Sequence, residues 1–201
     1  ANNFVLEGGS IESDGKGTIL TTEKCLLSEN RNDNLSKSDI EGFLKSVFGA
    51  TRILWLKNGY LAGDDTDSHI DTLARFCSAN TIAYVKCIDK DDEHFEELTR
   101  MEEELLSLRQ PDGSPYRLVS LPMASPAFDP DDGHRLPATY ANFLIINDAV
   151  LFPVYNCSTD KEALEAIKET FPERVIVPVD CSVLIRQHGS LHCITMQYPA
   201  K

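Results

Sequence analysis

The feature that most constrains this fold is one order of elements that occurs three times along the chain. Residues 141–154 contain two apolar, β-branched runs joined at Asn147-Asp148, which is typical of a hairpin. Apolar residues at helical spacing follow over 163–171, and residues 174–179 (RVIVPV) predict one more strand. The predicted order is strand, strand, helix, strand.

The same order is predicted at the beginning of the chain. Residues 10–27 contain strand-like runs interrupted by a turn at 15–17 (GKG). Ser36 is placed to open a helix that Gly49 ends, and residues 52–56 (RILWL) predict the returning strand.

A middle copy is predicted between these two. Residues 72–76 and 81–88 predict strands, and residues 92–108 predict a long acidic helix whose charges form a solvated face. A turn at 112–113 then leads to a strand over 116–121.

Three copies of one unit place the chain among proteins built by internal repetition. We predict an α+β fold of ββαβ modules in one domain over 1–201, whose size is typical of a single domain or a tightly packed pair. Ordinary alternation of strands and helices is the alternative. The predicted bounds are 7–57, 71–122 and 140–180 for the modules, and 182–198 for closing strands.

Polar residues recur at equivalent places just before or at the start of these stretches. They are Glu7, the pair His69 and Asp71, Asn142, and Cys193. Equivalent strand starts in a ring of modules converge at one end, so these side chains are expected to meet in one pocket. A thiol, an imidazole, carboxylates and an amide are the groups that a cysteine hydrolase needs for a cationic substrate.

Each of these residues also has a structural interpretation, which the residues alone leave open. Cys193 could be a buried thiol, and His69 a hydrogen-bonded loop residue. Glu7 could brace the turn at 8–9, and Asn142 could bond backbone groups.

The amino-acid composition narrows the classes of molecule that the protein could bind. The net charge of −13 disfavours nucleic acid and anionic membrane surfaces, and it suits a cationic substrate. No apolar run reaches the roughly 18 residues of a membrane-spanning helix. The six cysteines lie far apart without a CxxC pair, which predicts free thiols in a reducing cytoplasm.

No metal or cofactor is predicted. The acidic run 64–71 could suggest a calcium loop, but Phe76 stands where an EF-hand needs its bidentate Glu. His188, His192 and Cys193 could suggest zinc, but no second cluster offers ligands at suitable spacing. A strand over this segment would also place His192 and Cys193 on opposite faces.

Five motifs together resemble a known family. They are LEGGSI (6–11), GKGTILTTEKCLLSENRN (15–32), DDTDSHID (64–71), TYANF (139–143) and GSLHCITMQ (189–197). They resemble agmatine deiminases and the related bacterial-type peptidylarginine deiminases of the guanidine-modifying, or pentein, superfamily. The resemblance runs from residue 4 to about residue 198.

This resemblance implies a propeller of five ββαβ modules around a central active site, of which this chain would be the C-terminal part of an incomplete ring. The family's earlier Arg-Asp-x-Gly-Pro motif, whose Asp holds the substrate, is absent from the sequence. Its absence puts the activity of the isolated chain in question. Two other departures are Ser68, where the family usually has Gly, and residues 187–190 in place of a glycine-rich lead.

The resemblance also implies the chemistry. Cys193 would be the nucleophile, His69 the general acid and base, and Asp71 and Glu7 the carboxylates that hold the guanidinium. Further substrate contacts are assigned to Asn142 and Asp65. Agmatine would give N-carbamoylputrescine and ammonia, as in putrescine synthesis, and no cofactor is needed.

Two other functions stay open. Peptidylarginine deimination uses the same chemistry with a wider mouth, which the Pro-rich stretch 122–137 could line. A non-catalytic protein that binds a guanidino ligand or only a partner subunit is the third hypothesis. Assembly into a homo-oligomer is also left open.

Overall fold

The computed structural model describes residues 4–197, which form a mixed α/β fold containing three three-stranded sheets. The prediction of a fold that mixes helices and strands is therefore confirmed. The first sheet and its helices comprise β1 (Ile11–Ser13), β2 (Thr18–Thr22), α1 (Glu23–Leu26), α2 (Lys37–Phe48) and β3 (Arg52–Leu56). The second comprises β4 (Ala74–Ser78), β5 (Thr81–Lys86), α3 (Phe95–Ser107) and β6 (Arg117–Pro122). The third comprises β7 (Leu144–Ile145), β8 (Ala149–Val154), α4 (Asp160–Thr170) and β9 (Val175–Asp180).

All three sheets have the same pairing. The first two strands of each sheet pair antiparallel, and the third strand joins the second in parallel. Parallel neighbours need a long crossover, and α2, α3 and α4 provide it. A tight hairpin followed by a crossover helix therefore explains each sheet from its own stretch of sequence.

Local signals explain α2 well. The Ser36 hydroxyl accepts a hydrogen bond from the Asp39 backbone N–H, and the Asp39 carboxylate accepts one from the Ser36 N–H. Gly49 ends the helix with a φ of 65°, a conformation that glycine adopts without steric cost. Ile40 and Leu44 are buried against the sheet. The predicted helix and both of its ends are confirmed.

The long acidic helix is α3, and its apolar stripe is narrow. Leu98, Met101 and Leu105 are buried at helical spacing, and acidic residues occupy much of the remaining surface. These three side chains pack in a core with residues of β4 and β5. None of the helices within residues 4–197 is long and apolar enough to cross a membrane.

The closing strands predicted over 182–198 are wrong for the residues that the structure describes. Short 3-10 helices at Leu184–Gln187 and His192–Ile194 occupy this segment, and residue 198 lies outside the described range. His188 between them has a φ of 66°, which breaks an extended path. The Thr195 N–H donates to the His192 carbonyl, so local bonds replace a ladder. Similarly, Glu23–Leu26 is a helical turn and not a strand, because the Thr22 hydroxyl caps it.

Candidate active site

The predicted polar residues surround one open cleft of about 1050 Å³. Glu7, Asp65, His69, Asp71 and Cys193 line it. Asn142 is completely buried beneath the cleft wall, so it supports the site from behind. Asp65 is exposed at the rim. The structure therefore brings together residues that are up to 186 positions apart in the chain.

Asp71 is the buried carboxylate of the cleft, with an exposed fraction of 1%. Its Oδ2 accepts a hydrogen bond from His192 Nδ1 at 2.8 Å. Its Oδ1 has no hydrogen-bond partner among the described residues. A buried carboxylate oxygen without a donor is costly, so this atom is suited to receive one from a ligand.

Gly9 leaves open the space beside this carboxylate. A Cβ atom on Gly9 would stand 2.6 Å from His69 Nδ1 and 3.0 Å from each carboxylate oxygen of Asp71. His69 and Asp71 therefore flank the same small volume, which exists because residue 9 has no side chain. Gly8, directly before it, would meet nothing within 4 Å.

His69 is held by the carboxylate of Glu7, which is in turn held by Arg31. Its Nε2 lies 2.7 Å from Glu7 Oε2, and the same oxygen accepts from Arg31 Nε at 2.9 Å. Partial burial opposes ionisation of Glu7, but the hydrogen bonds from His69 and Arg31 outweigh it and lower the pKa of Glu7. Arg31 also pairs with Asp67 at 2.6 Å, which ties the acidic loop to Glu7.

That acidic loop contains two residues in the left-handed region. Asp67 has a φ of 60° and Ser68 a φ of 64°. The Ser68 N–H donates to Asp64 Oδ2 at 2.8 Å, and Thr22 donates its hydroxyl hydrogen to the Ser68 carbonyl at 2.8 Å. Glycine adopts this conformation without steric cost, whereas Ser68 costs about 1–2 kcal/mol in it.

Cys193 is positioned by Asn142. The Asn142 Oδ1 lies 3.4 Å from Cys193 Sγ and accepts the backbone N–H groups of His192 at 2.9 Å and Cys193 at 3.3 Å. The Asn142 amide also donates to the Asp71 carbonyl at 3.3 Å. One buried side chain therefore fixes the thiol relative to the carboxylate of Asp71.

The surroundings of Cys193 disfavour its thiolate form. Its Sγ opens into the cleft, but the surrounding protein shields it from bulk water, and this burial raises its pKa. The negative charge of Asp71, whose Oδ2 lies 4.0 Å from Sγ, raises it further. A thiolate here consequently needs a cation in the cleft.

The other five thiols differ from Cys193. All six are free, and Cys193 is the exposed one among them. Cys25, Cys87 and Cys181 are buried, whereas Cys77 and Cys157 are half-buried. Burial raises the pKa of both Cys25 and Cys77 to about 12.

Sequence reasoning missed a largely buried ion pair in the wall of the cleft. Arg75 Nε donates to Glu12 Oε2 at 2.6 Å, and both side chains are nearly inaccessible. Arg75 also donates to the Phe143 carbonyl at 2.7 Å and contacts His192 Nε2 at 3.4 Å. Arg75 stands within the apolar run 72–76, and a charged side chain in such a run is expected to be buried. This position could have predicted the ion pair, because a buried charge needs a partner.

Two groups within residues 4–197 place three metal-ligating atoms within 4.8 Å of one another. One is Asp129, Asp132 and His134, on the surface. The other is Glu7, Cys25 and His69, where Glu7 is already bonded to Arg31 and the raised pKa of Cys25 disfavours a thiolate. The second group is therefore poorly suited to a metal ion.

Comparison with known proteins identifies the family. The family model described as Porphyromonas-type peptidyl-arginine deiminase matches residues 1–199. The chain belongs to this family. The resemblance in the five motifs is thereby confirmed.

Individual relatives agree with this assignment. A provisionally named arginine deiminase from Porphyromonas gingivalis is 56% identical with a TM-score of 0.95, covering 98% of this chain and 58% of its own. C. jejuni agmatine deiminase with substrate bound is 46% identical with a TM-score of 0.88, covering 94% and 55%. The Medicago truncatula agmatine deiminase is 34% identical and covers the whole of this chain. The chain spans 58% of that relative's length.

Proposed function

We propose that this chain carries the nucleophile and most of the substrate-binding groups of a guanidine deiminase, with agmatine as the substrate. The observation that carries the proposal is the buried Oδ1 of Asp71, which has no hydrogen-bond partner within residues 4–197, beside the Cys193 thiol, whose pKa is raised by burial. A planar guanidinium offers N–H donors and a positive charge, which are the two things that this pair lacks.

The guanidinium is held in plane by carboxylates. Asp71 Oδ1 accepts one N–H group, and its buried position makes that hydrogen bond strong. Glu7 supplies a second negative charge, and its lowered pKa keeps it ionised at neutral pH. In this role Glu7 also holds His69. Asp65 contributes a further carboxylate at the rim.

Binding of the cation activates the thiol. A positive charge next to Cys193 offsets the burial and the Asp71 charge that raise its pKa, so the thiolate forms only when substrate is present. The thiol proton passes to His69, which becomes an imidazolium. The thiolate then attacks the central guanidino carbon, forming a C–S bond and a tetrahedral adduct.

Two further steps complete the reaction. His69 protonates the departing nitrogen, the C–N bond breaks, and ammonia leaves an S-alkylthiouronium on Cys193. His69 then takes a proton from water, which attacks the same carbon, and the C–S bond breaks to give a ureido product and the free thiol. With agmatine the product is N-carbamoylputrescine. No redox step or external cofactor enters this balance.

Agmatine is proposed as the substrate because relatives in Medicago truncatula and C. jejuni carry the name agmatine deiminase. The acidic chain suits a cationic diamine-like molecule. We place the reaction in putrescine synthesis in the cytoplasm, as the family resemblance implies and as six free thiols suit.

Peptidylarginine is the second candidate. The cleft is open, and Ile194 and Met196 beside it are 57% and 76% exposed, as a site that receives a polypeptide would require. The stretch 122–137, which was expected to line the mouth, is not part of the cleft wall among the described residues.

We further propose that the three ββαβ units, with bounds near 7–57, 71–122 and 140–180, are modules of a five-module pentein propeller in one deiminase domain. The support is the repeated pairing of the sheets, the convergence of polar residues at one cleft, and the share of the relatives that the chain spans. In this arrangement the rest of the ring supplies the additional aspartate that the family uses to hold the guanidinium.

The test is a colorimetric ureido assay on the full-length natural protein that contains this chain, with agmatine and with an arginine peptide blocked at both ends. Turnover of agmatine alone supports the proposal, and turnover of the peptide supports the second candidate. Cys193→Ser should abolish product while retaining substrate binding by calorimetry, whereas Cys77→Ser should leave turnover intact. Turnover in the Cys193→Ser protein would refute the mechanism, and silence of the wild type on both substrates would favour a non-catalytic guanidino-binding role.

A further inference from the structure

A chain of four polar side chains runs from the buried ion pair to the cleft. Glu12 binds Arg75 at 2.6 Å, Arg75 Nη2 lies 3.4 Å from His192 Nε2, and His192 Nδ1 lies 2.8 Å from Asp71 Oδ2. The chain ends at the Asp71 carboxylate, whose Oδ1 has no hydrogen-bond partner within residues 4–197. His192 thus links the Glu12–Arg75 ion pair to the carboxylate of the proposed guanidinium site.

The direction of the hydrogen bonds made by His192 follows from the chemistry of the Arg75 guanidinium. A guanidinium has only N–H donors and stays protonated in proteins, so the atom facing it must be an acceptor. His192 Nε2 therefore carries its lone pair, and the ring proton is on Nδ1. The Nδ1–H group then donates to Asp71 Oδ2, the sole direction in which this pair can bond.

Arg75 is itself fixed in one position. Its Nε and Nη1 are bonded to Glu12 and to the Phe143 carbonyl, and its guanidinium stacks over the Phe143 ring at 5.1 Å. In the other tautomer, the His192 Nε2 would carry its proton and place an N–H group against this cation. The buried ion pair consequently selects the tautomer of His192.

We propose that His192 is a positioning residue, held in its Nδ1–H tautomer by Arg75, which fixes the Asp71 carboxylate so that Oδ1 faces the substrate. The catalytic part of this inference rests on the proposed function. Without the His192 donor, the carboxylate is free to rotate, and Oδ2 is left with only the weak Cys193 thiol donor 4.0 Å away. The guanidinium plane would then no longer be held with one face toward the Cys193 thiolate, as attack on its carbon requires.

The matched variants are His192→Asn and His192→Leu in the full-length protein. The two side chains have the same branched shape, but only the Asn amide can place a donor where Nδ1 stood. We expect His192→Leu to lower kcat/KM for agmatine about 10- to 150-fold, which corresponds to one hydrogen bond to a charged group. We expect His192→Asn to recover at least tenfold of this loss. Equal losses in both variants would show that only packing matters and would overturn the inference.

A second measurement is independent of turnover. Long-range ¹H–¹⁵N NMR of the imidazole nitrogens should show His192 with a bare Nε2 and a protonated Nδ1, and Arg75→Met should allow the other tautomer to appear. If the wild-type protein converts neither substrate, the proposed function fails while the tautomer is still decided by this spectrum. A protonated Nε2 in the wild type would overturn the inference even if agmatine is converted.

Discussion

The absence of a side chain at Gly9 gives the sharpest single test of the site. In Gly9→Ala the new Cβ would stand 2.6 Å from His69 Nδ1 and 3.0 Å from both oxygens of Asp71. Gly9 is not in the left-handed region of φ, so the backbone accepts alanine and the clash alone is tested. Gly8→Ala is the matched control, since nothing lies within 4 Å of its Cβ.

The expected loss of kcat/KM follows from how far His69 and Asp71 must move to accept the new Cβ. Ordinary contacts of a Cβ begin near 3.4 Å, so His69 must move by about 0.8 Å and the Asp71 carboxylate by about 0.4 Å. Displacements approaching 1 Å at a reacting centre cost about 100-fold in rate. We therefore expect Gly9→Ala to lower kcat/KM for agmatine about 100-fold. Gly8→Ala should stay within about threefold of the wild type and gain about 0.5 kcal/mol of stability from the unfolded chain.

The assay is ureido formation by the full-length protein, combined with thermal unfolding followed by circular dichroism. Thermal unfolding separates a displaced site from a protein that has not folded. The reasoning would be refuted if folded Gly9→Ala retained normal kcat/KM, or if Gly8→Ala lost as much activity as Gly9→Ala. Either result would show that the space beside His69 and Asp71 is not where the substrate reacts.

Three other changes follow from single contacts. Asp71→Asn removes a charge that raises the pKa of Cys193, so the pH profile of Cys193 alkylation by iodoacetamide should shift to lower pH. An unchanged profile would show that the Asp71 charge does not act on the Cys193 thiol. Gly63→Ala should lower the free energy of unfolding by more than about 3 kcal/mol in urea titrations, because the new Cβ would stand 2.2 Å from the Arg135 carbonyl oxygen. Gly113→Ala is the control, since Gly113 has a similar φ and open surroundings, and it should lower the free energy of unfolding by only about 1 kcal/mol. Ser68→Gly should raise the melting temperature by relieving about 1 kcal/mol of strain at a φ of 64°, and a lower melting temperature would argue against strain there.

Elements with local signals could be predicted from the sequence. The helix between Ser36 and Gly49 has its cap, its apolar spacing and its terminating glycine within 14 residues, and the structure has it at those bounds. The hairpin at 147–148 and the strand over 52–56 likewise depend on neighbouring residues. Such interactions do not need knowledge of the rest of the fold.

The segment around Cys193 could not be predicted in this way. Its conformation is set by Asn142, about 50 positions earlier, which accepts the backbone N–H groups that a strand ladder would otherwise use. The residues that complete the site, Arg31 and Arg75, also act over long separations and carry no periodic signal. The sequence predicted which side chains meet, but not what holds them in place.

The strands of each sheet bond only within their own unit, so side chains join the units, and this has a consequence for how the protein fails. Glu12 of the first unit binds Arg75 of the second, and Arg75 in turn donates to the Phe143 carbonyl of the third. Glu7 belongs to the first unit, Asp71 to the second and Asn142 to the third. Partial opening at any one boundary therefore separates the reacting groups while every sheet stays folded, and chemistry stops well before secondary structure is lost.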